Sequence, residues 1–154
     1  MKTVRLAAAA AIILMAAVCG PQAANASDNS DVMTVINGAI SSFNKGDAKT
    51  WAGYCTPSAS IVSNTPPYQS SSCEQWWGQN VAANKANGMS NVNVTCAKPW
   101  QLMVAGGNAY VTLPCAVSFE QKGKPVKAAG NVLTVALHKG ASGWLMTGWS
   151  WSAH

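Results

Sequence analysis

The spacing of apolar and polar residues changes period once along this chain, near Asn91. Before that point it is helical. Val32, Val35, Ile36, Ala39, Ile40 and Phe43 recur on one helical stripe, with Ser30 or Asp31 placed to cap its start and Gly46 to end it. Asp47 then caps a second, shorter helix through Trp51 and Tyr54 to about Cys55, where Thr56-Pro57 stops it. Residues 59–63 read as one short strand, and residues 64–70, which include Pro66-Pro67, as a loop. Ser71-Ser72-Cys73-Glu74 spells a capping box that opens a third helix through Trp76, Trp77, Val81 and Ala82 towards Lys85, ending near Gly88.

After Asn91 the period is twofold. Val92, Val94, Cys96, Trp100, Leu102 and Val104 share one face, with Lys98 intruding, and Ala109, Val111, Leu113, Cys115, Val117 and Phe119 continue the pattern beyond a glycine turn. The two runs predict a long hairpin. Residues 121–125 form a second turn, 126–139 a strand, 140–143 a third turn and 144–151 the last strand, which gives four antiparallel strands.

The N-terminal segment has a different character. Lys2 and Arg5 precede an apolar run over residues 6–18, and Ala24-Asn25-Ala26 supplies small residues for cleavage before Ser27. Residues 1–26 are read as a removable export signal, and 27–154 as a single domain of about 128 residues. A membrane span needs about 20 apolar residues, and Gly20-Pro21 ends this run too early, so no membrane association is expected after cleavage. Ala16-Ala17-Val18 does not make Cys19 a lipidation site, and it leaves with the leader. The expected location is the periplasm or the medium.

Four cysteines remain, Cys55, Cys73, Cys96 and Cys115, and in an oxidising compartment they predict two disulfides. No Cys-x-x-Cys occurs, and His138 and His154 stand far from the cysteines in sequence, so no metal site is expected. Spacing alone leaves three pairings open. The hairpin register narrows them. A tight turn on Gly106-Gly107 would set Cys96 opposite Val117, leaving Cys115 on a diagonal at about 7–8 Å, beyond the reach of a bridge. A two-residue slip that makes 104–107 a four-residue loop, or a bulge at Pro99 or Pro114, brings the two sulfurs opposite. On this basis Cys96 pairs with Cys115 and Cys55 with Cys73.

Composition removes some functions. Charged residues are 10% of the chain and hydrophobic ones 49%, which excludes a highly charged disordered tail. Of ten Lys and Arg, Lys2 and Arg5 belong to the leader, leaving eight Lys against five acids and no Arg. Nucleic-acid readers lean on Arg for bidentate contacts, so no nucleic-acid partner is expected. Seven Trp against two Phe is the unusual feature.

Three N-terminal helices broken by a short strand, followed by a meander of strands, make an α+β domain. That order resembles the nuclear transport factor 2-like superfamily, particularly its SnoaL-like members, and so do Phe43-Asn44-Lys45-Gly46-Asp47, Trp51, Ala59-Ser60-Ile61, Asn108-Ala109-Tyr110-Val111-Thr112, the stretch 130–134 and Gly143-Trp144. The resemblance implies a cone-shaped, strongly curved antiparallel sheet packed on the helices, with a cavity open at one end. It also implies, for many members, homodimerisation through the outer sheet face. It does not imply one activity, because such proteins include isomerases, dehydratases and polyketide cyclases as well as binding domains.

Catalysis would need its own residues. Isomerase-like members carry an Asp near the end of the first short strand, where this chain reads Ile61-Val62-Ser63-Asn64. His138 sits beside a glycine turn and reads as a surface residue, and His154 is terminal. Asp47 reads as a helix cap, Glu74 as part of the capping box, Asp28 and Asp31 as N-terminal, and Glu120 as adjoining a turn. No acid/base pair and no cofactor are expected. The aromatic residues are the remaining signal, and Trp51, Tyr54, Tyr68, Trp77 and Trp100 are the candidate ligand-binding residues, while Trp149 and Trp151 share one strand face. The leading reading is an exported domain holding a small apolar or aromatic molecule. An isomerase, dehydratase or cyclase type of enzyme and a homodimeric interaction module are the alternatives.

Overall fold

The computed structural model describes residues 26–153. The leader read at 1–26 lies, but for Ala26, outside the described residues, as does His154. Helix α1 (Ala26–Asn44) buries Val32, Ile36 and Ala39 of the expected stripe, with Val35, Ile40 and Phe43 half-buried beside them, and it also buries Ser42. It begins before the expected caps. Nothing between Ala26 and Asp31 breaks a helix, and Asp28 places a carboxylate in the first turn, where free N–H groups favour negative charge. Helix α2 (Ala48–Ala52) is capped by Asp47, whose Oδ1 accepts from the Thr50 amide at 3.0 Å. It stops short of Cys55. Gly53 ends it, and the Tyr54 carbonyl accepts from the Met146 amide at 2.8 Å, which draws the chain into a sheet.

Strand β1 (Cys55–Ser63) is therefore longer than expected, and the following loop contains a two-residue strand, β2 (Gln69–Ser70), paired with it. Helix α3 (Cys73–Ala86) opens on a capping arrangement one residue later than the sequence suggested. Ser72 Oγ accepts from the Gln75 amide at 3.1 Å, and Gln75 Oε1 accepts from the Ser71 amide at 2.9 Å, so Gln75 takes the part assigned to Glu74. The Ser71-Ser72 doublet permits either frame. Cys73, buried and bridged to Cys55, fixes the one adopted.

Five strands follow: β3 (Met89–Cys96), β4 (Gln101–Ala105), β5 (Asn108–Gln121), β6 (Lys124–Gly140) and β7 (Gly143–Ser152). The sheet order is β2-β1-β7-β6-β5-β3, with β4 also paired to β5. It is a curved, unclosed sheet with three helices, and it is mixed, because β1 runs parallel to β7 while the other pairs are antiparallel. Gly148 permits the parallel approach. A Cβ there would meet the Ser60 carbonyl oxygen at 2.8 Å.

The long first strand of the expected hairpin is broken into β3 and β4. The turn at Gly106-Gly107 stays tight, with Ala105 opposite Asn108, so the four-residue loop does not form. The two-residue correction falls instead at residues 97–100, which include Pro99, where the Ala97 amide donates to Pro114 O at 3.0 Å and the Trp100 amide to Thr112 O at 2.9 Å. Cys96 and Cys115 are then direct partners, with Cα atoms 4.1 Å apart, and both disulfides, Cys55–Cys73 and Cys96–Cys115, are formed.

β3 is an edge strand, and α1 closes part of it. The Asn44 side chain imitates a neighbouring strand: Nδ2 donates to Val94 O at 2.8 Å, and Oδ1 accepts from Val94 N at 2.8 Å. Asn44→Leu removes both partners of Val94 at a half-buried position. Its expected cost is about 1–3 kcal/mol in urea unfolding, against almost none for Asn37→Leu on the exposed face of the same helix.

Candidate functional site

Between the three helices and the concave face of the sheet lies a cavity of about 540 Å³, within the range of small-molecule sites. Its floor is apolar but for Asn131 of β6. β3 contributes Val92 and Val94, β5 contributes Val117 and Phe119, β6 contributes Leu133 and Val135, and β7 contributes Met146, Trp149 and Trp151. Helix α1 supplies Ile36, Ala39, Ile40 and Phe43, the same stripe that packs it on the sheet. The mouth is polar but uncharged. Ser63, Asn64 and Thr65 border it after β1, and Asn80, Asn84 and Asn87 face it from α3 together with Trp76 and Ala83.

No Asp, Glu, His, Lys, Tyr or Cys is among the described residues that line this cavity. Among the described residues no group of three or more His, Cys, Asp or Glu side chains is placed to hold a metal, and no helix is long and apolar enough to cross a membrane. The ionisable groups are elsewhere. His138 is exposed, with Nδ1 3.0 Å from Asn108 Oδ1 across β5 and β6. Glu74 is exposed in the first turn of α3, and Asp31 is exposed on α1.

Of the five candidate binding residues, the cavity takes Trp51. Tyr54 is half-buried and lies on α1, where its ring occupies the space that a side chain at Gly38 would need. Tyr68 and Trp100 are exposed, on the loop after β1 and at the break between β3 and β4. Trp77 packs outside the lining, with ring centroids 5.6 Å from Phe43 and 5.4 Å from Trp51. Its neighbour Trp76 faces the cavity instead, edge-on to Trp149 at 4.6 Å and 84°.

The residues that sequence reasoning passed over are Trp76, the amides of α3 and Asn131. Trp76, Asn80, Ala83, Asn84 and Asn87 recur at helical spacing, and that stripe was available in the sequence. A row of Asn on a helix reads as a solvated face, and only the sheet opposite it makes it a rim.

Electrostatic interactions gather at the far end of α1. Lys139 Nζ donates to Asp28 Oδ1 at 2.6 Å and stands 5.8 Å over the buried Trp144 ring, pinning the helix start to the end of β6. The Lys139 hydrogen bond holds the Asp28 carboxyl below its ordinary 3.8, and the same contact raises the Lys139 ammonium above its ordinary 10.5. Asp47 is likewise lowered, first by its hydrogen bonds to Thr50. A depressed carboxyl contributes stability that is complete above its unfolded value and is lost as pH falls through its folded value. The melting temperature is therefore expected to drop on acidification below about pH 4, and Lys139→Met should flatten part of that drop while Asp47→Asn flattens another part. Parallel acid limbs for wild type and Lys139→Met would show that the pair is not coupled to folding.

The curved, unclosed mixed sheet with its three helices matches the fold of the nuclear transport factor 2-like proteins. No family model matches the chain, and no curated protein matches it. Solved structures do. It is similar to a nuclear transport factor 2-like superfamily protein from Salmonella enterica serovar Typhimurium, with a TM-score of 0.72 and 15% identity over 84% of this chain and 93% of that one. A ketosteroid isomerase-like protein from Erwinia carotovora matches with a TM-score of 0.68 and 13% identity over 84% of this chain and 98% of that one. A further structure, described as a nuclear transport factor 2-like protein with a cystatin-like fold from Novosphingobium aromaticivorans, gives 0.68 and 12% over 82% of each chain. At these identities the likeness carries the fold alone.

Proposed function

We propose that this is an exported protein that holds a small uncharged, apolar or aromatic molecule in its cavity without transforming it. The observation that carries this reading is the lining: about 540 Å³ of space walled by apolar and neutral amide side chains, with no ionisable group among the described lining residues. A charged guest would lose its hydration with no opposite charge to replace it. An apolar guest gains about 25 cal/mol for each Å² it removes from water. Acid/base turnover, suggested by the isomerase-like name of one structural neighbour, would need a titrating group at the guest, and the lining offers none. Two disulfides are compatible with the export that the leader suggests.

Trp51, Trp76, Trp149 and Trp151 all line the cavity, so intrinsic fluorescence reports its occupancy. Titration with 2-methylnaphthalene is expected to quench saturably, and 2-naphthoate, of similar shape but charged, to bind at least about tenfold more weakly. Tighter binding of the carboxylate, lost in salt, would overturn the reading.

A second reading, compatible with the first, rests on the outer sheet face. Met103 and Tyr110 are direct cross-strand partners, both exposed, and Trp100 nearby is 65% exposed. This apolar group is where a homodimer through the sheet face would close. Sedimentation equilibrium should show a dimer that Met103→Glu dissociates; a monomer at all concentrations would remove this reading.

A further inference from the structure

We propose that the guest carries a hydrogen-bond donor, a hydroxyl or an N–H, and that Asn131 Oδ1 receives it. This rests on the reading that the cavity holds an uncharged apolar molecule, and it adds the one polar group such a molecule must have. Asn131 is 3% exposed, one of the few buried polar residues among those described, and it lines the cavity from β6. A β-bulge puts it there. Cys115 pairs with Asn131 but Val117 pairs with Ala128, so Ala129 and Gly130 oppose Ala116 alone, and Gly130 takes the extra turn at φ +80°. The bulge shifts the inward parity of the strand, and both Asn131 and Ala128 face the cavity.

The amide has one defined orientation. Asn131 Nδ2 donates to the Ala128 carbonyl at 3.0 Å across the bulge, and a carbonyl can only accept, so the other end of the amide is Oδ1. None of the side-chain hydrogen bonds among the described residues involves that oxygen, and unlike the Trp149 indole nitrogen it is not sealed from solvent. It stands on a wall shared with Val117, Leu133 and Val135, none of which can donate. A wholly apolar guest would strip water from Oδ1 and give nothing back, which costs more than the hydrogen bond itself is worth. A guest with a hydroxyl or N–H at that point would not incur that cost. An acceptor-only guest, such as a ketone or ether, would incur it in full. The chemical class is therefore an apolar ring system bearing an alcohol, phenol or N–H group.

The test compares matched pairs by calorimetry, each with one member that can donate a hydrogen bond and one that cannot. In a cavity that responds to hydrophobicity alone, 2-methylnaphthalene binds more tightly than 2-naphthol, because a methyl outweighs a hydroxyl. Donation to Asn131 reverses that order, with 2-naphthol expected to bind about threefold to tenfold more tightly. Indole should likewise exceed 1-methylindole, an independent pair that needs no variant. Asn131→Leu removes the unpaired oxygen and should restore the hydrophobic order, with 2-methylnaphthalene binding the variant more tightly than it binds wild type and 2-naphthol losing its advantage. If this variant does not fold, the two wild-type pairs decide the matter. Tighter binding of both methylated members to the wild type overturns this proposal and leaves the apolar-cavity reading intact. Failure of all four probes to bind overturns the apolar-cavity reading itself.

Discussion

Replacing Trp149 by Ala is expected to lower the unfolding free energy by about 3–5 kcal/mol, the loss typical of truncating a buried large aromatic side chain. Trp149 is 9% exposed and lies in β7 between Ile61 of β1 and Val135 of β6, both fully buried. Its ring stands edge-on to Trp76 at 4.6 Å and to Trp51 at 6.2 Å, so its loss removes favourable aromatic pairs as well as buried area. Trp149 lines the existing cavity, so the space it leaves opens into it. Its Nε1 has no hydrogen-bond acceptor among the described residues, so Trp149→Phe gives up area without breaking a hydrogen bond and should recover most of the stability. Trp100→Ala is the control. With its side chain 65% exposed, it should stay within about 0.5 kcal/mol of wild type in urea unfolding and leave guest affinity unchanged. Equal losses at Trp149 and Trp100 would contradict the placement of the aromatic cluster.

The contrast between those two tryptophans marks where the sequence stops being informative. The stripe of α1 was legible because an amphipathic helix repeats its buried positions, and Val32, Ile36 and Ala39 are buried as that repeat requires. The Cys96–Cys115 bridge was legible because a twofold period fixes which residues share a face, and only a two-residue correction was left to place. Trp76 and Trp77 are different. Adjacent residues on a helix point about 100° apart, and the sequence does not say which one the sheet will face. Trp100 looked like a member of the apolar face of a continuous strand, but the break at residues 97–100 ends β3 before it, and its side chain is exposed. Asn131 was signalled only by its neighbour Gly130, a glycine inside a strand pattern, and the direction in which the bulge aims it depends on how β6 must bend against β5.

Breaking the Cys55–Cys73 bridge should cost about 3 kcal/mol, as expected for a cross-link spanning 18 residues, and should loosen one wall of the cavity before the rest of the fold. Helix α3 has a single fully buried residue, Cys73, and its other inward side chains, Trp76, Asn80, Ala83 and Asn84, are only half-buried. The helix packs on the sheet through few large apolar contacts, because its inner stripe borders open space. The disulfide therefore anchors its N-terminus to the start of β1, and the Ser72 cap alone cannot replace that anchor. The Cys96–Cys115 bridge closes a loop of nearly equal length, with a sequence separation of 19, so its removal should cost a similar free energy. It joins strands already paired residue by residue, however, and leaves α3 untouched. Hydrogen exchange read by mass spectrometry separates the two cases. The double variant Cys55→Ser, Cys73→Ser is expected to lose protection over residues 73–86 under conditions where β5 and β6 remain protected, and to weaken guest binding in proportion. The double variant Cys96→Ser, Cys115→Ser is expected to lose protection in β3 while α3 keeps its own. Uniform loss of protection in both variants would show that α3 unfolds only with the whole domain, and that the cavity wall gains no particular support from its bridge.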